Sequence, residues 1–169
     1  GVWYYIEKGI WASTVDTLHK INGKWFLIKK GIWTATTGIV EYKGKNFYVQ
    51  GGKWDSTVNE LKKLDGKWYF IKSGKWDQTL DSLHKLEGKW FLVKKGMWTA
   101  TTGLVEYQGK QFYVVGGKWQ SRTGIYKIGS KNYYISGGKW DKTTTTLYKK
   151  DGKLYAVKNG MWYKSKTII

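Results

Sequence analysis

The chain has 169 residues and a net charge of +18, and it is rich in Trp (12), Tyr (13) and Gly (22) but lacks Cys and Pro. Without Cys it cannot form a disulfide framework or a zinc–thiolate site, and no stretch approaches the roughly 18 apolar residues of a membrane span. Aromatic residues favour strands and glycines supply tight turns, so the composition predicts an all-β chain.

The positive charge is carried almost entirely by lysine, since Arg122 is the only arginine. Such a surface attracts polyanions, among them teichoic acid, sulfated or sialylated glycans, anionic membranes and nucleic acid. The same charge also helps to keep an aromatic-rich surface in solution. Because arginine is the usual reader of base edges, we expect nucleic acid to be the least favoured of these partners.

A tryptophan recurs in the pattern Gly-x-Trp along the chain. These eight residues, termed the closing tryptophans, are Trp11, Trp33, Trp54, Trp76, Trp98, Trp119, Trp140 and Trp162. A regular period of this kind, here 21 or 22 residues, is typical of a repeat array. We therefore predict a single array over residues 1–169. Because the sequence starts in the middle of a repeat, we also expect it to be part of a larger surface or secreted protein.

Each repeat predicts one β-hairpin. Its first strand carries an aliphatic residue, and these residues are Leu18, Ile39, Leu61, Leu83, Leu104, Ile125 and Leu147. A turn follows, as at Asn22 and Gly23, with residue types that tolerate positive φ. The second strand runs through four residues, such as residues 25–28, and a second glycine turn leads to the next closing tryptophan.

The four second-strand positions differ in how strictly they are kept between repeats. The second is always aromatic and the fourth is always Ile or Val, whereas the first and third vary. Because side chains alternate between the faces of a strand, we expect the second and fourth positions to face the core in every repeat. The first and third should share the other face, which we expect to contact a ligand, a partner or the next turn of the array. Its aromatic residues include Trp25, Trp68, Trp90, Tyr48, Tyr113 and Tyr134.

Residues 24–38 and 89–103 are nearly identical although they lie 65 residues apart, a distance of three repeats. If three hairpins complete one turn of a solenoid, residues separated by this distance lie above one another. The alternative is the duplication of a triplet of repeats without geometric meaning. We favour the first interpretation and predict an all-β solenoid of 21–22-residue β-hairpin repeats, with about three hairpins per turn.

The segment TGLVEYQGKQFYVVGGKW, residues 102–119, resembles the cell-wall-binding repeats of choline-binding and glucan-binding proteins and the short repeats of large clostridial toxins. The matching residues are Gly103, Leu104, Tyr107, Gly109, Phe112, Tyr113, Gly117 and Trp119. The resemblance extends over nearly the whole chain. It implies a hairpin solenoid on the surface of a Gram-positive bacterium or in one of its secreted proteins. In choline-binding repeats the ligand lies in an aromatic cage between consecutive hairpins, held by cation–π attraction.

The chain departs from the choline-binding pattern at the positions that would form this cage. One wall of the cage is a tryptophan just after the first-strand glycine, where this chain has Leu or Ile, as at Leu104. Conversely, the closing position carries Trp where choline-binding repeats usually carry Met. A net charge of +18 also repels a cation. We therefore expect a ligand other than choline.

The closing tryptophans allow two interpretations. They can be core residues, since a buried indole contributes a large apolar area. Alternatively, they can be half-exposed platforms for a sugar ring or an aliphatic ligand. The candidate ligand-binding residues are Trp11, Trp33, Trp54, Trp76, Trp98, Trp119 and Trp140, together with the variable-face aromatics given above. Lysines recur near the hairpin turns, as at Lys45 and Lys110, and before closing tryptophans, as at Lys75 and Lys139. They predict basic stripes along the array.

No pattern indicates catalysis, a cofactor or a metal site. His19 and His84 are repeat-related copies without an accompanying nucleophile motif, and Glu41 and Glu106 are likewise copies rather than two different carboxylates across one cleft. We predict a non-catalytic, multivalent module that binds a carbohydrate or cell-wall polymer at the bacterial surface. The alternatives are an adhesin that binds a host surface protein, such as mucin or an immunoglobulin, and a general polyanion binder. The sequence leaves the oligomeric state open.

Overall fold

The computed structural model describes residues 1–167, with side chains described as far as Tyr163. Regular structure in this range consists of strands alone. In chain order they are β1 (Ile6–Glu7), β2 (Ile10–Trp11), β3 (Thr17–Ile21), β4 (Lys24–Lys29), β5 (Ile32–Trp33), β6 (Gly38–Tyr42), β7 (Lys45–Gln50), β8 (Lys53–Trp54), β9 (Glu60–Leu64), β10 (Lys67–Lys72), β11 (Lys75–Trp76), β12 (Ser82–Leu86), β13 (Lys89–Lys94), β14 (Met97–Trp98), β15 (Gly103–Tyr107), β16 (Lys110–Val115), β17 (Lys118–Trp119), β18 (Gly124–Ile128), β19 (Lys131–Ser136), β20 (Lys139–Trp140), β21 (Thr146–Lys150), β22 (Lys153–Lys158) and β23 (Met161–Thr167). The prediction of an all-β array of hairpins is confirmed.

The strands recur in groups of three. The first two of each group form an antiparallel hairpin, as β3 and β4 do, and a short third strand carries the closing tryptophan. The chain divides into two compact units, Gly1–Leu80 with Lys95–Met97, and Asp81–Lys94 with the residues from Trp98 onward. No helix within residues 1–167 has the length and apolar character needed to cross a membrane.

The tight turns are formed as the sequence predicts. Asn22 and Gly23 both have positive φ, 48° and 80°, as a two-residue type I′ hairpin turn requires. The second turn of the same repeat, Lys30 and Gly31, also has positive φ at both residues. A primed turn matches the right-handed twist of its flanking strands, so these glycines fix the hairpin register.

The predicted division into one core face and one variable face is wrong for the third position of the second strand. Leu27 and Tyr48, both at this position, are buried, as fully as the fourth-position Ile28 and Val49. The second position, by contrast, is half-buried in most repeats, as at Phe47. The sequence pattern therefore identified the fourth position correctly, and of the contacts expected for the third position the burial of Leu27 and Tyr48 fits packing between hairpins.

The stacking of consecutive hairpins explains this difference. Leu18 and Leu27 lie opposite each other on one face of the β3–β4 hairpin and form a core cluster with Val49 of the next hairpin. In the second unit, Leu83, Leu92 and Val114 form the same cluster. Both faces of an internal hairpin are thus covered by neighbours, and a residue on either face is removed from water.

Candidate functional site

Most closing tryptophans link consecutive repeats through a hydrogen bond from the indole N–H. The indole N–H of Trp54 donates to the carbonyl oxygen of Gly74 at 2.8 Å, and that of Trp119 donates to Gly138 at 2.8 Å. The same bond joins Trp11 to Gly31, Trp76 to Gly96, Trp98 to Gly117 and Trp140 to Gly160. The accepting residue is always the glycine of the next second turn. A side chain there would collide with the indole, because a Cβ on Gly74 would lie 2.4 Å from Trp54 Nε1.

The short strands β8, β11, β17 and β20 each pair with two second strands, and this register gives their closing tryptophans two cross-strand neighbours. Trp76 lies opposite Ile71 of its own hairpin and opposite Asn46 of the preceding hairpin. Ile71 is a fourth-position residue and is buried, whereas Asn46 occupies the variable first position. The first-position residue of one hairpin therefore decides what faces the closing tryptophan of the next.

The first-position residue is itself tryptophan in four repeats, among them those of Trp25 and Trp90, which lie opposite closing tryptophans. Trp25 pairs with Trp54, with ring centroids 6.0 Å apart in an edge-to-face arrangement. Trp90 pairs with Trp119 at the equivalent position of the second unit. We term these the packed tryptophan pairs. Each joins a larger aromatic cluster, which includes Tyr42 and Phe47 in the first unit, so these indoles serve mainly in packing.

The first-position residue is an amide in three repeats, at Asn46, Gln111 and Asn132, and at the first two a groove opens beside the closing tryptophan. The first amide groove has a volume of about 350 Å³ and is lined by Gly44, Lys45, Asn46, Lys75, Trp76, Asp77, Gln78 and Thr79. The second amide groove has a volume of about 600 Å³ and is lined by Gly109, Lys110, Gln111, Lys139, Trp140, Asp141 and Lys142. Corresponding residues line both grooves, since Gln111 lies opposite Trp140 as Asn46 lies opposite Trp76.

The indoles of the amide grooves are held from their own hairpins. Trp76 contacts Tyr69 with ring centroids 5.2 Å apart and planes at 80°, and Trp140 contacts Tyr133 at 5.4 Å and 89°. Both tryptophans remain half-buried. An indole that is fixed along one edge and still partly open to solvent can serve as a platform for an apolar surface of a ligand.

Lysines in the grooves are positioned by aromatic rings. The ammonium of Lys75 lies 5.5 Å from the centroid of the Phe47 ring, and that of Lys139 lies 5.3 Å from the Phe112 centroid. Both lysine–ring contacts follow from the strand register, because each of these lysines pairs with the second-position aromatic residue of the preceding hairpin. Cation–π attraction therefore restricts the ammonium groups near the groove rather than leaving them fully free in solvent.

The loop after each groove tryptophan is an Asp-x-Thr turn. Asp141 accepts hydrogen bonds from the backbone N–H and the hydroxyl of Thr143, at 2.8 and 2.7 Å, and Asp77 is bonded in the same way by Thr79. The backbone and side-chain bonds from Thr143 hold the pKa of Asp141 below its ordinary value. This carboxylate therefore remains ionised at neutral pH, and it fixes the loop at the edge of the groove.

A third cavity lies at the start of the first unit. It has a volume of about 400 Å³ and is lined by Trp3, Tyr4, Tyr5, Ile21, Phe26, Ile28, Trp33 and Lys53. We term it the aromatic cleft. Its lining is largely apolar, and Trp3 and Tyr4 are 70% and 55% exposed, so it presents aromatic rings to solvent without the amide and aspartate of the grooves.

The other predicted site residues are divided between packing and exposure. Tyr48 and Tyr113 are buried, and burial raises the pKa of Tyr113; neither offers the ligand-contacting surface that the sequence pattern favoured. Tyr134 is half-buried with its ring 5.4 Å from that of Tyr148. Trp68 is 38% exposed with the Lys63 ammonium 5.9 Å from its ring, and Trp11 is 46% exposed.

The two histidines lie outside the amide grooves. His19 shares a 2.9 Å hydrogen bond with the Tyr5 hydroxyl, and His84 Nε2 lies 2.8 Å from the carbonyl oxygen of Asp81. Residues 1–167 contain no group of three or more His, Asp or Glu side chains that could hold a metal ion.

The candidate site residues predicted from the sequence include neither Asn46 nor Gln111. Lys75 and Lys139 were predicted only as members of basic stripes. The repeat alignment does contain an indication of these sites, because a polar first position predicts an open space opposite the next closing tryptophan. The alignment alone does not show which first position lies opposite which tryptophan, since this depends on the strand register between repeats.

Comparison with known proteins supports the same architecture. Residues 35–55, 61–77 and 100–119 match the family model of the choline-binding repeat. The structure of CbpJ from Streptococcus pneumoniae is similar to this chain with a TM-score of 0.51 at 20% identity, over 88% of this chain and 48% of CbpJ. A search of the curated proteins finds no match.

Two further solved structures from Streptococcus pneumoniae are similar at lower TM-scores. Choline binding protein F has 20% identity and a TM-score of 0.46, over 89% of this chain and 58% of that protein. The modular autolysin LytC has 16% identity and a TM-score of 0.44, over 91% of this chain and 43% of LytC. The chain thus spans about half the length of these proteins. Three segments of the chain thus match the choline-binding repeat, and the similarity to CbpJ shows a shared fold.

Proposed function

We propose that this chain is a non-catalytic module that attaches to a carbohydrate or cell-wall polymer at a bacterial surface, and that the two amide grooves are its binding sites. The observation that carries the proposal is the recurrence of one arrangement of side chains. An indole lies opposite an amide, with lysines beside them, in the Asn46–Trp76 groove and again in the Gln111–Trp140 groove.

The chemistry of the grooves suits a sugar ring. The partly open indole can pack against the C–H face of a pyranose, while an amide such as Asn46 both donates to and accepts from hydroxyl groups. The ammonium of Lys75 supplies a further donor at a fixed place. Grooves of this size hold one or two rings, so each site alone should bind weakly. Two sites on one chain gain affinity for a polymer through effective concentration.

The proposal is tested by filling the grooves. In Asn46→Trp and Gln111→Trp the new indole should occupy the groove as Trp25 and Trp90 do opposite their closing tryptophans. We expect each single variant to weaken the binding of a neutral or wall-derived glycan, and the double variant to abolish it, as measured on an immobilised glycan array.

A matched control is Leu154→Trp, which introduces the same side chain at a first position that is not an amide and lies outside the lining of both grooves. We expect this variant to retain binding and the far-ultraviolet circular dichroism of the parent. If the double groove variant still bound the glycan as the parent does, the grooves would not be the site. If no glycan or wall polymer bound the parent, the proposed function itself would be wrong.

A second candidate function, binding of a host surface protein, is favoured by the aromatic cleft. Trp3 and Tyr4 expose most of their surface there, and aromatic residues are enriched in protein interfaces. A protein partner should bind with a defined stoichiometry and should not be displaced by free sugars. Trp3→Ala should weaken such binding and leave glycan binding by the grooves unchanged, which separates the two functions.

A further inference from the structure

We infer that the amide grooves select glycans that carry negative charge, as sulfate, phosphate or carboxylate groups, and that the second groove selects them more strongly than the first. This inference rests on the proposed function and specifies the class of ligand. It starts from the charges that line the two grooves.

In each groove the lysines outnumber the carboxylates, although attraction between Asp141 and Lys142 contributes to the lowered pKa of Asp141. Within the described residues, no carboxylate forms an ion pair with any of the five groove lysines, which are Lys45, Lys75, Lys110, Lys139 and Lys142. Each groove has a single aspartate in its lining, Asp77 or Asp141, and one oxygen of each already accepts two hydrogen bonds from a threonine of its own loop. An anionic ligand would therefore meet a net positive charge in each groove.

The position of these cations favours recognition of a charged group over general attraction. Lys75 and Lys139 are directed by the rings of Phe47 and Phe112, on the same short strands that carry Trp76 and Trp140. A sugar on the indole would thus place its substituents near an ammonium group whose freedom is already reduced. A cation restrained before binding loses less conformational entropy when it pairs with an anion.

The two grooves differ naturally by one charge. The sequence Trp-Asp-Gln-Thr follows the first groove and Trp-Asp-Lys-Thr follows the second, so Lys142 stands where the first groove has Gln78. Both side chains line their grooves. Apart from Thr79, which lines only the first groove, the other lining residues are the same or, as Asn46 and Gln111, chemically alike. The protein therefore contains two related sites that differ in one charge and in volume, about 350 against 600 Å³.

Dextran, dextran sulfate and carboxymethyl dextran provide a test with one polymer backbone and three charge states. The second groove is isolated in the Asn46→Trp background, in which the first groove is filled. We expect dextran sulfate and carboxymethyl dextran to bind more tightly than dextran. Adding Lys142→Gln should weaken dextran sulfate binding roughly two- to five-fold, as expected for one surface charge. It should also reduce the slope of log affinity against log salt by about 1 and weaken dextran binding by a smaller factor than dextran sulfate binding.

Two further variants make the result specific to the grooves. Lys131→Gln removes the same charge from an exposed hairpin position outside both grooves and should have little effect. Gln78→Lys, made in the Gln111→Trp background, should strengthen dextran sulfate binding at the first groove by a similar factor.

The possible failures are distinguishable. Equal binding of dextran and dextran sulfate, abolished by filling both grooves, would overturn the charge selection while the proposed function stands. If Lys142→Gln and Lys131→Gln weakened dextran sulfate binding equally, the preference for charged polymers would come from the overall charge of the chain. That result would overturn the inference. If none of the three polymers bound, or if filling both grooves had no effect, the proposed sites and the inference would both fail.

Discussion

The packed tryptophan pairs and the amide grooves use the same backbone register for opposite purposes. Trp54 and Trp76 are both half-buried closing tryptophans that donate their indole N–H to a second-turn glycine. Opposite Trp54 stands Trp25, which fills the space between the hairpins, whereas opposite Trp76 stands Asn46, which leaves a groove. One side chain in the preceding hairpin thus separates a packing site from a candidate binding site, although the repeat itself hardly changes.

The feature that both regions share is the contact between the closing tryptophan and the second-turn glycine, and breaking it should have the largest effect. Gly74 has φ of +68°, and a Cβ there would lie 2.2 Å from the carbonyl oxygen of Asp55. Backbone strain and overpacking together predict that Gly74→Ala destabilises the first unit by about 4 kcal/mol. Thermal unfolding followed by circular dichroism measures this.

The control for this variant is Gly66→Ala. Gly66 has φ of +77° but no atom within 4 Å of the added Cβ. We expect a cost of about 1 kcal/mol from the backbone conformation alone. Equal losses in the two variants would mean that the close approach of Trp54 contributes nothing.

The second-largest effect should come from removing the indole of a closing tryptophan, and its size should differ between the two regions. Trp54 contacts both Trp25 and Phe47, at centroid distances of 6.0 and 5.2 Å, whereas the ring contact of Trp76 is with Tyr69. We expect Trp54→Ala to cost about 3 kcal/mol and Trp76→Ala about 2 kcal/mol, by denaturant titration. The order should reverse for glycan binding, which Trp76→Ala should impair more. The same order in both measurements would contradict the division of roles.

Exchanging the first-position residues should convert one region into the other. Asn46→Trp should gain up to about 1 kcal/mol in stability from a new aromatic pair, while Trp25→Asn should lose about 2 kcal/mol and open a groove beside Trp54. Differential scanning calorimetry measures the stabilities, and quenching of tryptophan fluorescence by acrylamide reports the opening. If Trp25→Asn left quenching unchanged, the first position would not control access to the indole.

The smallest effect concerns the Asp-x-Thr turns, which occur in both regions. The pKa values of Asp55 and Asp141 lie below their ordinary value because Thr57 and Thr143 donate hydrogen bonds to them. A carboxylate with a lowered pKa stabilises the folded state above its ordinary pKa of about 4, and this contribution disappears as the pH falls through the lowered value. Thr143→Val removes one bond, so the pKa of Asp141 should rise towards the ordinary value in a carbon-13 NMR titration. Asp55 is the internal reference and should not change.

Much of the fold could be predicted because its determinants are local. The turn pairs such as Asn22 and Gly23 adopt the positive φ values that their residue types favour, and the fourth-position residues other than Ile6 are buried, as at Val49 and Ile71. The burial of Leu27 and Tyr48 could not be predicted in this way. Alternation along a strand shows that two faces exist, but it does not show that a neighbouring hairpin covers the second one.

The amino-acid sequence by itself determined the period of the repeats, the hairpins, their turns and the recurring tryptophans, since each depends on residues close together in the chain. Only the tertiary structure decided which of those tryptophans are packed and which border a groove. That outcome depends on the residue that the preceding hairpin places opposite each indole, Trp25 for Trp54 and Asn46 for Trp76. The pairing is set by strand register between separate repeats, and this register fixes whether an indole or an amide meets the tryptophan.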